Sequence, residues 1–119
     1  MKHYALVFRP TRLLTTEEVK QRQVEIAAWV QRVTSMGIAL DPRNFGETAA
    51  SLFAEGGEVI SREVPNEPTF ATIVFFDSPS RDQAVSIARI HPGLRYGVTV
   101  EVREWTSPAE NAANRWEGG

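Results

Sequence analysis

Val98-Thr99-Val100-Glu101-Val102-Arg103 closes the stretch on which the fold turns. That stretch opens at Phe75-Phe76, where an apolar run ends. It passes through Asp77-Ser78-Pro79 and a helix-like segment to His91-Pro92-Gly93 before the alternating run begins. Successive side chains of a strand point to opposite faces. Val98, Val100 and Val102 therefore share one face, and Thr99, Glu101 and Arg103 the other. A strand of this kind has two different neighbours: a core on its apolar side, and water or a polar cavity on its charged side.

Working outward, Thr69 to Phe76 is apolar on both faces, which suits a central strand. Ser78 is a good helix N-cap and Pro79 a good first helical residue. Ala84, Val85, Ile87 and Ala88 give this second helix a small apolar face, and Pro92 and Gly93 end it. At the other end of the chain, His3 to Arg9 reads as a strand stopped by Pro10. Thr15 with Glu18 forms a capping box, and Glu17 adds charge where the helix dipole favours it. The first helix should run from Thr16 to about Met36, with Val19, Ile26, Trp29, Val30, Val33 and Met36 on its apolar stripe. Lys20, Gln21, Arg22, Gln31 and Arg32 are placed outside that stripe, and Gly37 is the left-handed stop.

Between the helices, Ile38 to Leu40 begins a second strand and Asp41-Pro42-Arg43-Asn44 is a turn signal. Thr48 to Phe53 reads equally as a strand or a short helix. Gly56-Gly57 is a hairpin tip leading into Glu58 to Glu63, and Pro65 to Pro68 breaks the chain. The domain spans 1–105. Residues 106–119 form a polar tail around a single apolar anchor, Trp116.

Two amphipathic helices cover only one face of such a sheet. The expected fold is therefore α+β, a ferredoxin-like βαββαβ antiparallel sheet with both helices on one side. Phe8, Phe70, Phe75 and Phe76 cannot all face two helices. An exposed apolar face of that size predicts a homodimer with two sheets packed face to face.

With 119 residues, the chain suits one packed core. A formal charge of −2 gives no pull toward nucleic acid or anionic membranes. The absence of cysteine excludes disulfides and thiolate chemistry. Met1-Lys2-His3-Tyr4 runs straight into a strand without a signal-peptide core, and Ile73 to Phe76 is far too short to span a bilayer, so a soluble cytoplasmic protein is expected. Gly56-Gly57 lacks the Lys and Ser/Thr of a phosphate loop, and neither a nucleophile elbow nor a dinucleotide fingerprint occurs; no cofactor is expected.

Tyr4-Ala5-Leu6-Val7-Phe8, a helix ending near Gly37, the Phe75-Phe76-Asp77-Ser78 strand end followed by Ala84, the Pro92 turn, and Gly97-Val98-Thr99-Val100-Glu101-Val102-Arg103 together resemble the YCII-related family, including its DGPF subgroup. The resemblance implies a dimeric α/β barrel with a cavity between two sheets, and a dehydrohalogenating lyase as precedent. It also implies a histidine in the first helix and an aspartate before the proline after the second. Here those positions are held by Ile26 and His91, and the subgroup's Asp-Gly-Pro-Phe sequence is absent.

Five residues are candidates for chemistry. His91 titrates near neutrality and sits at a helix C-terminus whose dipole favours its protonated form, so it is the candidate acid/base; alternatively it only caps the helix. Glu101 is the second catalytic candidate, orienting a ligand or taking a proton. Arg103, with Arg9 and Trp105, is the candidate binding group for a carboxylate or enolate. The alternative is an ion pair with no ligand. His3 and His91 lack metal-ligand spacing, and no metal is expected. The functional expectation is a small aromatic or carboxylate-bearing molecule bound between the sheets, with acid/base lyase or isomerase chemistry. A non-catalytic structural or regulatory dimer is the alternative, and a cofactor-free oxygenase a further one.

Overall fold

The computed structural model describes residues 1–46, 49–62 and 72–109. The elements are β1 (Lys2–Pro10), α1 (Thr16–Ser35), β2 (Asp41–Asn44), β3 (Ser51–Glu55), β4 (Glu58–Arg62), β5 (Thr72–Ser78), α2 (Arg81–Arg89), a 3-10 helix (Pro92–Tyr96) and β6 (Val98–Glu104). Four strands form an antiparallel sheet in the order β2-β5-β1-β6, and β3 and β4 form a separate hairpin. The architecture is α+β. Leaving the hairpin aside, the chain runs βαββαβ.

Register divides the sheet into two chemically different faces. Leu6 lies opposite both Val74 and Val102, Tyr4 opposite Phe76, and Phe8 opposite Thr72 and Val100. Tyr4, Leu6, Phe8, Val74 and Phe76 join Trp29 and Val33 of α1 and Ala84, Ile87 and Ala88 of α2 in one buried cluster, so both helices cover this face. Ala5 lies opposite Phe75 and Arg103, and Val7 opposite Ile73 and Glu101, on the face that no helix covers. Phe8 and Phe76 thus point at the helices and Phe75 away from them. Phe70, Glu63, Pro65 to Pro68 and Trp116 lie outside the described residues.

Several local expectations hold in detail. Thr15 accepts from the Glu18 amide while the Glu18 carboxylate accepts from the Thr15 amide, a complete capping box. Gly37 follows the last turn at φ +85°. Gly56 and Gly57, at φ +60° and +82°, form the two-residue tip of the β3–β4 hairpin, where both central residues need the left-handed region.

Others are corrected. Asp41 to Asn44 is a strand, not a turn. It pairs with β5 at the sheet edge, where Pro42 is tolerated because an edge strand has one unpaired side. Ile38, expected to begin that strand, precedes it and is buried in the core. Ser51 to Phe53 lies in a strand, which resolves the choice left open there. The N-cap of α2 is Ser80, not Ser78. Ser78 ends β5 fully buried, its hydroxyl donating to the Ser80 carbonyl, while the Ser80 side chain accepts from the Gln83 amide. Pro79 therefore sits before the cap rather than inside the helix. On α1, Val30 and Met36 are exposed, whereas Arg22 is half-buried.

Replacing Ser80 tests the cap assignment by chemical denaturation. Ser80→Ala should cost about 1 kcal/mol, and Ser80→Gly only a few tenths, because glycine is tolerated at an N-cap and alanine is not.

Candidate functional site: a cavity between the sheet and the first helix

Helix α1 is fastened at its sides. The indole N–H of Trp29 donates to the Ile87 carbonyl at 2.9 Å, a buried bond that ties α1 to the last turn of α2. Glu25 accepts from Arg95 at 2.7 Å and from the Tyr96 hydroxyl, tying α1 to the 3-10 helix. The α1 backbone makes its most extensive close approach to the 3-10 helix. A cavity of about 870 Å³ lies between α1 and the sheet. Its walls are largely apolar, with Phe8, Leu14, Val19, Ile26, Trp29 and Val74 among them.

Three basic side chains line this cavity, Arg12, Arg22 and His91, together with Thr72, whose hydroxyl donates to Asn44. Arg12 is fully engaged. Its guanidinium forks onto Glu18 at 2.8 and 3.2 Å, which holds the Glu18 carboxyl down to about 2. Gly97 makes room for this arrangement: it sits at φ +68°, and a Cβ there would lie 2.7 Å from the Arg12 side chain. Arg22 has no carboxylate within ion-pair distance among the described residues, and its Nε is buried without a hydrogen-bond partner.

His91 is 7% exposed and boxed in by aromatics, its ring centroid 4.5 Å from that of Phe8 and 4.6 Å from that of Trp29, to which it lies nearly perpendicular. It does not end α2. The helix stops at Arg89 with Ile90 as its cap, and His91 instead caps the 3-10 helix, its Nδ1 accepting from the Gly93 amide at 2.9 Å. Gly93 is needed for that approach, since a Cβ would lie 2.9 Å from Nδ1. The expectation that a helix dipole keeps His91 protonated is therefore overturned. Burial, reinforced by the positive charge of Arg22, lowers its pKa from 6.5 to about 4. At neutral pH the ring is neutral, and with Nδ1 accepting, Nε2 carries the proton.

The remaining sequence candidates lie elsewhere. Arg9, Glu101 and Arg103 are on the uncovered face of the sheet, where Glu101 accepts from Arg9 at 2.6 Å and from Arg103 at 3.0 Å. Arg103 first, and Arg9 with it, holds the Glu101 carboxyl below its ordinary value. Trp105 stacks on His3 at 4.6 Å, meets Phe75 edge-on at 5.9 Å and donates to the Tyr4 carbonyl at 3.2 Å. His3 Nδ1 lies 2.6 Å from Asp77. The sheet itself separates this surface from His91, so His91, Glu101 and Arg103 do not converge on one cavity.

Arg12 and Arg22 are the residues that sequence reasoning missed. Arg22 had a readable signal. Val19, Arg22, Ile26, Trp29 and Val33 follow one another at steps of three and four, so Arg22 belongs to the buried stripe rather than outside it.

No family model matches the chain, and no curated protein matches it. Among the described residues no group of three or more His, Asp or Glu side chains is arranged to hold a metal ion, and no helix is long and apolar enough to cross a membrane.

The depressed His91 pKa makes stability pH-dependent in a defined window. The unfolded chain takes up this proton as pH falls through about 6.5, the folded chain only near 4. Between those values the unfolded state binds more protons, so stability falls on acidification and this contribution levels off below about 4. The loss should approach ~3 kcal/mol. His91→Asn, which keeps an N-cap acceptor and does not titrate, should remove this part of the slope when urea midpoints are compared from pH 7 to 4.

Proposed function

We propose that this chain is a YCII-like small-molecule-binding domain whose ligand occupies the cavity beneath α1. One observation carries the reading. A largely apolar cavity of about 870 Å³, within the range of known ligand sites, has in its wall a half-buried arginine whose Nε is buried and unbonded among the described residues, and a buried imidazole. The cavity opens to solvent beside the exposed Leu13 and Val30, so a ligand can reach it.

Where the ligand reacts, His91 is the group placed to take part. Its neutral imidazole carries its proton on Nε2 and can donate it in a hydrogen bond to a carbonyl or carboxylate oxygen of a ligand; Nδ1, occupied by the Gly93 amide, takes no proton in this arrangement. Glu101 and Arg103 play no direct part in this reading. Their mutual pairing with Arg9 favours a structural role on the uncovered face. That face has Ala5, Val7, Ile73 and Phe75 at its centre and ion pairs at both edges, Asp41–Arg43 on one side and Arg9–Glu101–Arg103 on the other. Such a surface suits a second copy packed face to face in a dimeric α/β barrel.

Fluorescence titration with 8-anilinonaphthalene-1-sulfonate tests the cavity. The dye should bind once per chain with the emission rise of an apolar site, and Ile26→Trp and Leu14→Trp, each filling the cavity from a different wall, should both abolish that binding. No binding by the wild type, or binding untouched by both substitutions, overturns the proposal.

A further inference from the structure

Every guanidinium has to be hydrated, paired or hydrogen-bonded, because an ionic group taken out of water without compensation is expensive. Arg9, Arg12, Arg43, Arg95 and Arg103 each meet a carboxylate. Arg22 meets none among the described residues, although its helix offers two acids in reach of it: Glu18, four residues before, and Glu25, three residues after. Both are engaged elsewhere. Glu18 is held by Arg12, and Glu25 is held by Arg95 and Tyr96. Arg22 is thus left with a buried, unbonded Nε on the wall of an apolar cavity.

The charges lining the cavity do not cancel. Arg12 is neutralised by Glu18, His91 is uncharged at neutral pH, and no acidic side chain among the described residues lines the wall, so one positive charge stands over there. Apart from the Thr72 hydroxyl, which donates to Asn44, the other side chains of the wall are hydrocarbon and aromatic ring. Resting on the ligand-binding reading above, we propose that the cavity selects apolar monocarboxylic acids, with the carboxylate paired to Arg22 and the hydrocarbon or aromatic body held among Phe8, Ile26 and Trp29. A dianion would leave its second charge against apolar walls. A neutral analogue would leave the guanidinium unpaired, and an amine would add a like charge. A guanidinium–carboxylate fork is also directional, which gives the ligand one orientation in the cavity.

Calorimetric titration at pH 7 with 4-phenylbutyrate, 4-phenylbutan-1-ol and 4-phenylbutylamine separates the two readings. These three probes share a skeleton and differ in head group. The acid should bind once per chain, the alcohol roughly 10- to 100-fold more weakly, as the strength of a charge-assisted hydrogen bond implies, and the amine not measurably. Arg22→Gln should bring the acid to the affinity of the alcohol and leave the alcohol unchanged. Arg22→Lys should recover part of the difference, and the alcohol reports that each variant remains folded. Equal binding of acid and alcohol by the wild type, or acid binding indifferent to Arg22→Gln, overturns the selectivity while the cavity stands as a site. If the wild type binds none of the three, the binding reading falls, and the selectivity falls with it.

Discussion

The bond from the Trp29 indole to the Ile87 carbonyl sets the position of α1, and the candidate site follows from that position. It is buried, and a buried carbonyl that loses its donor costs about 1–3 kcal/mol. Together with Glu25 on Arg95 and Tyr96, it fastens α1 to α2 and the 3-10 helix rather than to the strands. A helix held by its flanks has no need to settle its whole length on the sheet. Trp29 and Val33 reach the common core, while Val19, Arg22 and Ile26, about one to three turns before Trp29, line the cavity. The same Trp29 packs nearly perpendicular to His91, so the clamp also shapes the surroundings of the imidazole.

The pleat of the sheet imposes the second constraint. Residues two apart share a face, so β1 sends Tyr4, Leu6 and Phe8 toward the helices and His3, Ala5, Val7 and Arg9 the other way. Chemistry-bearing side chains are thereby sorted into two groups with a layer of backbone between them. One group holds Arg22 and His91 in an apolar cavity. The other holds the Arg9–Glu101–Arg103 cluster and the His3–Trp105 stack on an uncovered surface. Glu101 and Arg103 satisfy each other there, whereas Arg22 has nothing comparable among the described residues.

Much of the fold was legible because its signals are local. The Thr15–Glu18 capping box, Gly37, the Gly56-Gly57 tip and the alternation of Val98, Val100 and Val102 each depend on a few neighbouring residues, and each holds. Where two residues offered the same local chemistry, the wrong one was chosen. Ser78 and Ser80 are both capable caps, and only the burial of Ser78 at the end of β5 decides between them. Asp41 to Asn44 has turn composition yet forms a strand, because pairing with β5 outweighs weak propensity at an edge. The site was less legible for the same reason. The environment of His91 comes from Phe8, Trp29 and Arg22, far away in sequence, and they invert the protonation that its apparent place at a helix end implied. Arg22 is polar in type, yet its spacing with Val19, Ile26, Trp29 and Val33 puts it on the buried stripe.

The central claim is that α1 stands off the sheet over an apolar cavity containing one uncompensated guanidinium. A crystal structure of the chain grown at neutral pH with 4-phenylbutyrate tests it most directly. The account predicts the cavity in place, the carboxylate forked onto Arg22 and the phenyl ring among Phe8, Ile26 and Trp29. A structure with α1 collapsed onto the strands, or with Arg22 paired to a carboxylate of its own chain, would contradict it.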